Sequence, residues 1–253
     1  MKTIKCPSGF VLGLLWLLIA DVATAGSYTL FVGKGIEVCE AYLKNLNSFP
    51  KHPPMVCDRP LNPKFTEISR PKWQPLEFWP NRHLLRQAIR NKPFYAKYSD
   101  DEFEKVEPRE KWEANLKAGM AAQTMTFGLA SLDVDRDGTP ETVLRFDTGF
   151  RCDPTNESTF ANPGSSIEYY VLSTDQQQID RTKTELTFPI AGGRPDLFLF
   201  RGQVYATSWV GNLGFQDGMI YVDTPFVTKP IPMPALRPCH YKFGGASTRR
   251  QPS

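Results

Sequence analysis

Residues Leu132–Phe146 read LDVDRDGTPETVLRF. Asp133, Asp135 and Asp137 alternate with other residues, Gly138 follows at once, and Glu141 comes three positions later. TFGLASL (126–132) leads into the stretch and TVLRF (142–146) leads out of it. Both flanks are short, with the β-branched, aromatic and small apolar residues that suit a pleated, half-buried surface. The stretch predicts an acidic loop held between two strands. Three clustered aspartates repel one another unless a cation neutralises them. Four carboxylates, of Asp133, Asp135, Asp137 and Glu141, together with the backbone carbonyl of Thr139, form a set of hard oxygen donors. Calcium takes about six to eight such oxygens, so Ca2+ in a structural role is the expected ion. The competing reading is an Asp-Gly turn closed by the aspartates' own side-chain bonds to the backbone, with no ion.

Working outward, the chain after Met125 reads as strands punctuated by Gly, Asn, Asp and Pro: SIEYYVL, ELTFPI, DLFLF, QVYATSWV, GMIYV and CHYKF. In SIEYYVL, Ile167, Tyr169 and Val171 share one face, and Tyr170 and Leu172 the other. Arg201 and Gly202 sit between DLFLF and QVYATSWV as a two-residue hairpin turn. Before Met125 the pattern is helical. Ile36, Cys39, Tyr42, Leu43 and Leu46 follow helical spacing, as do Leu84, Leu85, Ala88 and Ile89, and then Trp112, Leu116 and Met120. Residues 49–80 are rich in proline, which limits regular elements, yet carry Trp73, Leu76, Phe78 and Trp79 to pack. Helices first and strands later predict an α+β fold. In it, N-terminal helices and a Pro-rich irregular segment (26–123) pack on a C-terminal antiparallel β-sheet (124–245), followed by a disordered tail (246–253). Internal repeats are not evident, which disfavours a propeller.

The first residues, MKTIKCPSGFVLGLLWLLIADVATA, carry a basic start, an apolar run from Phe10 to Ala20, and small residues at Ala23 and Ala25. This is the pattern of a cleaved secretory signal peptide, 1–25. The run falls short of the ~20 apolar residues of a membrane span. Cys6 precedes the run, where a lipoprotein cysteine would follow it. The expected product is exported, periplasmic or secreted, with no transmembrane anchor after processing and no lipid. Cys39, Cys57, Cys152 and Cys239 remain, an even number in an exported chain, and predict two disulfides. Of three possible pairings, Cys39–Cys57 with Cys152–Cys239 is favoured because each staples one half. Zinc is disfavoured, since the cysteines lack close spacing and the chain has three histidines. Lys and Arg total 30 against 27 Asp and Glu, without a basic block, which disfavours nucleic acid as a partner.

The loop follows EF-hand numbering through its first nine positions, but Leu144 stands at the twelfth and strands replace the helices. It resembles the calcium loops of FG-GAP and VCBS-type β repeats, with Glu141 in place of the final aspartate. More widely, GKGIEVCEAYLKNLNSF, MVCDRPLNP, FLFRGQVYATSW and CHYKF resemble uncharacterised exported proteins of proteobacteria. That resemblance implies export but no activity.

No nucleophile elbow is present, Ser165 and Ser166 lacking the second glycine. His52, His83 and His240 have no partner motif, and Asp100, Asp101, Glu102 and Glu104 read as a solvated face. Asn156 begins a glycosylation acceptor, NES. The expected function is a non-enzymatic binding or interaction module, its partner an envelope or extracellular protein or a glycan. The alternative is an exported hydrolase of glycans or peptides with a structural calcium. Trp73, Trp79 and Trp209 are candidates for stacking on sugars in either case.

Overall fold

The computed structural model describes residues 27–49, 59–90, 95, 97–122, 125–147, 167–187, 195–210, 219–223 and 238–244. Among these the strands form two antiparallel sheets. The larger has the order β1 (Ser27–Val32), β10 (Cys239–Gly244), β9 (Met219–Asp223), β8 (Gln203–Val210), β7 (Asp196–Phe200) and β2 (Ile68–Ser69). The smaller has the order β3 (Gln74–Pro75), β4 (Thr126–Leu132), β5 (Glu141–Asp147) and β6 (Ile167–Val171).

The sheets stack face to face. Ala130, Leu132, Val143, Ile167, Tyr169 and Val171 of the smaller sheet meet Leu197, Val204 and Ala206 of the larger in one buried cluster. Each sheet is covered on its other face by helices. Helix α1 (Glu37–Leu46) lays Val38, Cys39, Tyr42 and Leu46 against Phe198, Ile220, Val222 and Tyr241. Tyr42 stacks on Phe198 with ring centroids 5.0 Å apart. Helices α2 (Phe78–Arg90) and α4 (Arg109–Ala121) bring Leu84, Leu85, Ala88, Trp112 and Leu116 onto Phe127, Leu144, Phe146 and Tyr170. The order of layers is helix, sheet, sheet, helices. This burial on both faces explains why LFLF (197–200) is an unbroken apolar run: Leu197 points between the sheets, and Phe198 and Phe200 point under α1. Each side chain of this size contributes ~1.5–3 kcal/mol when fully buried.

The α+β expectation holds, as do the alternation in SIEYYVL and the Arg201–Gly202 turn. Phe200 pairs with Gln203, and both turn residues have positive φ, 49° and 82°, as a type I′ hairpin requires. Several expectations are corrected. ELTFPI is not a strand where it is described: Glu185–Thr187 belong to helix α5 (Arg181–Thr187). Asp180 starts that helix, its side chain accepting from Lys183 N at 2.9 Å and its carbonyl from Thr184 N at 2.9 Å. The acids Asp100, Asp101, Glu102 and Glu104 are exposed, as a solvated face requires, and lie on helix α3 (Asp100–Val106), which Ser99 and Glu102 open with a reciprocal capping box. Among its described residues the Pro-rich segment forms only short strands, as its prolines require: β2 and β3 have two residues each.

The favoured disulfide pairing is also overturned. Cys39 bonds Cys239, tying α1 to β10 across 200 residues. Cys39 faces the larger sheet from α1, so its sulfur meets the strand that runs beneath the helix. Cys57 and Cys152 lie outside the described residues, as do the leader, the tail, His52, Asn156, Ser165 and Ser166. The division near residue 124 is therefore one of composition, not of tertiary unit. From the N-terminal part, β1 pairs with β10, β2 with β7 and β3 with β4. No helix among the described residues is long and apolar enough to cross a membrane.

Candidate metal centre

Strands β4 and β5 pair from Thr126↔Asp147 to Leu132↔Glu141, so the acidic loop spans residues 133–140 at one end of the smaller sheet. Its turn is built from residues in the left-handed region: Arg136 at φ 61° and Gly138 at φ 89°. Glycine carries that conformation without strain, and arginine does so at a cost. Arg136 is held there from outside the loop. Its guanidinium donates to Val204 O (3.3 Å) and lies 4.8 Å from the centre of the Tyr205 ring, both on β8 of the other sheet. The loop is thus anchored to both sheets.

Within the loop the carboxylates accept backbone N–H groups. Asp133 Oδ2 accepts from Gly138 N (3.1 Å), Asp135 Oδ1 from Asp137 N (3.2 Å), Asp137 Oδ1 from Thr139 N (2.7 Å), and Glu141 Oε2 from Val134 N (3.1 Å). These bonds point one oxygen of each acid at the backbone and leave the other for a ligand. Asp133, Asp135 and Glu141 each offer an oxygen within 4.8 Å of the other two. This group could hold a metal ion. The Asp137 carboxylate is exposed and stands outside the group, although the loop brings it close in sequence; Thr139 is exposed beside it. Asp133 Oδ1 is fully buried and makes no hydrogen bond. A buried, unpartnered carboxylate oxygen is costly and is the observation that fits a cation best.

One cation reaches the group from the protein itself. Lys183 Nζ, from α5, lies 2.6 Å from Glu141 Oε1 and 3.2 Å from Asp135 Oδ2. The hydrogen bond to Glu141, opposed by partial burial and supported by Asp135, pushes the Lys183 ammonium above the ordinary lysine range. Neither Arg136 nor Lys183 was legible as a site residue. Arg136 is visible only as a position in the loop, and Lys183 is 42 residues from Glu141 with no motif linking them.

The other candidates separate. His83, on α2, has a buried Nε2 without a hydrogen-bond partner. His240, on β10, sits edge-on between Phe31 (5.5 Å) and Tyr221 (4.8 Å) in a different layer. Trp73 stacks on Tyr169 in the core, and Trp79 is 48 % exposed beside Phe78. Trp209 lies in β8. Of the acidic run, Asp100 pairs with Arg90 and Glu104 with Arg86, which are contacts between α3 and α2.

Compared with protein-family models, curated proteins and solved structures, the chain matches none.

Proposed function

We propose that this is an exported protein, periplasmic or secreted, in which the β4–β5 loop binds calcium as a structural ion. The protein then acts as a binding or interaction module for an envelope or extracellular protein or glycan. The buried, unpartnered Asp133 Oδ1, in a group with Asp135 and Glu141, carries the metal part of this reading. Calcium is favoured over magnesium because the oxygen donors from Asp133 to Glu141 follow the spacing of a calcium loop and come from an irregular turn. Calcium accepts many oxygens in irregular geometry, whereas magnesium demands a near-ideal octahedron. The buried Cys39–Cys239 bond is in keeping with an oxidising compartment. The ion would be structural because the loop spends its carboxylate oxygens on it and its neighbours Arg136, Thr139 and Pro140 form no acid–base set.

For interaction, the start of α1 and the β7–β8 hairpin enclose a mixed groove of about 390 Å³, lined by Ile36, Val38, Phe200 and Tyr205 and crossed by the Glu37–Arg201 ion pair. Calorimetric titration of the mature protein with calcium and with magnesium tests the ion. Saturable calcium binding, with a rise in melting temperature reversed by chelator, is expected. No heat and no thermal shift with either ion would refute it. A glycan array and pull-down from envelope extract, run with calcium and then chelator, tests the binding role.

A further inference from the structure

We propose that Lys183 is a built-in competitor of the divalent cation: its ammonium and the metal use the same carboxylate oxygens, and metal binding drives the side chain out to solvent. The inference rests on the divalent-cation reading of the loop and adds how the site is regulated.

The geometry is that of a cation already seated. Lys183 Nζ contacts Glu141 Oε1 at 2.6 Å and Asp135 Oδ2 at 3.2 Å, and these are two of the three acids whose oxygens converge. A calcium–oxygen distance is about 2.3–2.6 Å, so an ion bound by the same two acids would lie almost where the ammonium lies. An ammonium and a dication cannot share that volume. The ammonium also satisfies the group incompletely. It carries one positive charge against three carboxylates, and Asp133 Oδ1 still has no partner. A divalent ion brings twice the charge and can reach the third acid.

The way out is open. The Lys183 side chain is 37 % exposed, while those of Glu141 and Asp135 are 7 % and 12 % exposed. The backbone beneath it is held independently. Lys183 N donates to Asp180 Oδ1 (2.9 Å), and Thr184 Oγ1 accepts from Val171 N on β6 (3.0 Å). Helix α5 therefore stays in place and only the lysine side chain moves. At low divalent concentration the lysine offsets part of the repulsion among the acids and helps hold the loop folded. At high concentration the metal takes over, at a threshold set by the lysine.

The test is Lys183→Met, which keeps the stem and removes the charge. Calcium affinity, read by titration, is expected to rise roughly five- to tenfold, the order expected for removing a partly exposed competing ion pair. In chelator the variant should melt below the wild-type protein, and in saturating calcium the two should converge. Calcium binding by wild type with equal or weaker binding by the variant would overturn the inference while leaving the metal reading intact. No binding by either protein would overturn the metal reading, and this inference with it. A second measurement needs no variant. Amine acylation of the wild-type protein, read by peptide mass spectrometry, should show Lys183 several-fold more reactive with calcium than with chelator, with exposed Lys97 unchanged. Equal or reduced reactivity of Lys183 in a calcium-loaded protein would overturn it.

Discussion

Cys39, on the inner face of α1, and Cys239, at the start of β10, lie 5.3 Å apart at Cα and are joined through a disulfide. The bond links residues 200 positions apart, so the first described helix is tied to the last described strand. The chain-entropy model gives such a closure up to about 5 kcal/mol. Peptide mapping of non-reduced protein should recover a Cys39–Cys239 peptide. The Cys39→Ser/Cys239→Ser pair should shift the urea midpoint strongly downward, and a map joining Cys39 to Cys57 would contradict the fold.

Gly33 is the position most sensitive to a single methyl group near that bond. A Cβ there would sit 2.3 Å from Pro238 O and 2.7 Å from Cys39 Sγ, on a backbone with φ at +97°. Gly35 has φ at +81° but open space around it. Gly33→Ala should therefore cost about 2 kcal/mol or more, by strain and overpacking together. Gly35→Ala should cost only the left-handed strain, about 1 kcal/mol. Equal urea midpoints for the two variants would show that the contact with the disulfide is not made.

The carboxylates of the loop should divide into two groups. Asp133→Asn and Glu141→Gln should abolish the calcium-induced rise in melting temperature, because their oxygens converge. Asp137→Asn should retain most of it, since that side chain is exposed and bonds Thr139 N. Loss of the response in all three would mean that the whole loop closes on the ion.

High pH should unfold the protein through its buried phenols. Burial pushes Tyr42 up to about 12 and raises Tyr169, Tyr170 and Tyr241 as well. In the unfolded chain these tyrosines ionise near ~10. Their contribution is fully present below that value and is lost as pH rises from there through the folded-state values, because only the unfolded form then releases protons readily. Phenolate absorbance should rise in one cooperative step with loss of near-ultraviolet ellipticity. A gradual, non-cooperative rise in the native state would show that the phenols reach solvent without unfolding.

Local pattern made much of this protein legible. Strands with strict alternation or dense β-branched and aromatic content, such as SIEYYVL and QVYATSWV, stand where the residues placed them. So does the 3.6-residue stripe Leu84, Leu85, Ala88. The failures have local causes too. ELTFPI has strand composition, but Asp180 caps a helix just ahead of it, and the cap outweighs a weak β preference. SYTLFV, with Tyr28 and Leu30 inward, reads as a strand in hindsight, yet it directly follows the leader and is paired only by residues more than 200 positions away.

The sequence by itself determined the α+β class, the hairpin around the acidic loop, and the five-residue donor set from which the converging acids are drawn, because each depends on residues within a few positions of one another; that Asp133, Asp135 and Glu141 converge without Asp137 was decided by the fold. The tertiary structure alone decided that the strands divide into two stacked sheets, that Cys39 meets Cys239, and that Lys183 enters the acidic group from 42 residues away. Those outcomes depend on which distant surfaces bury each other. Apolar burial is non-directional, so a sequence can show that a face will be buried without showing what will cover it.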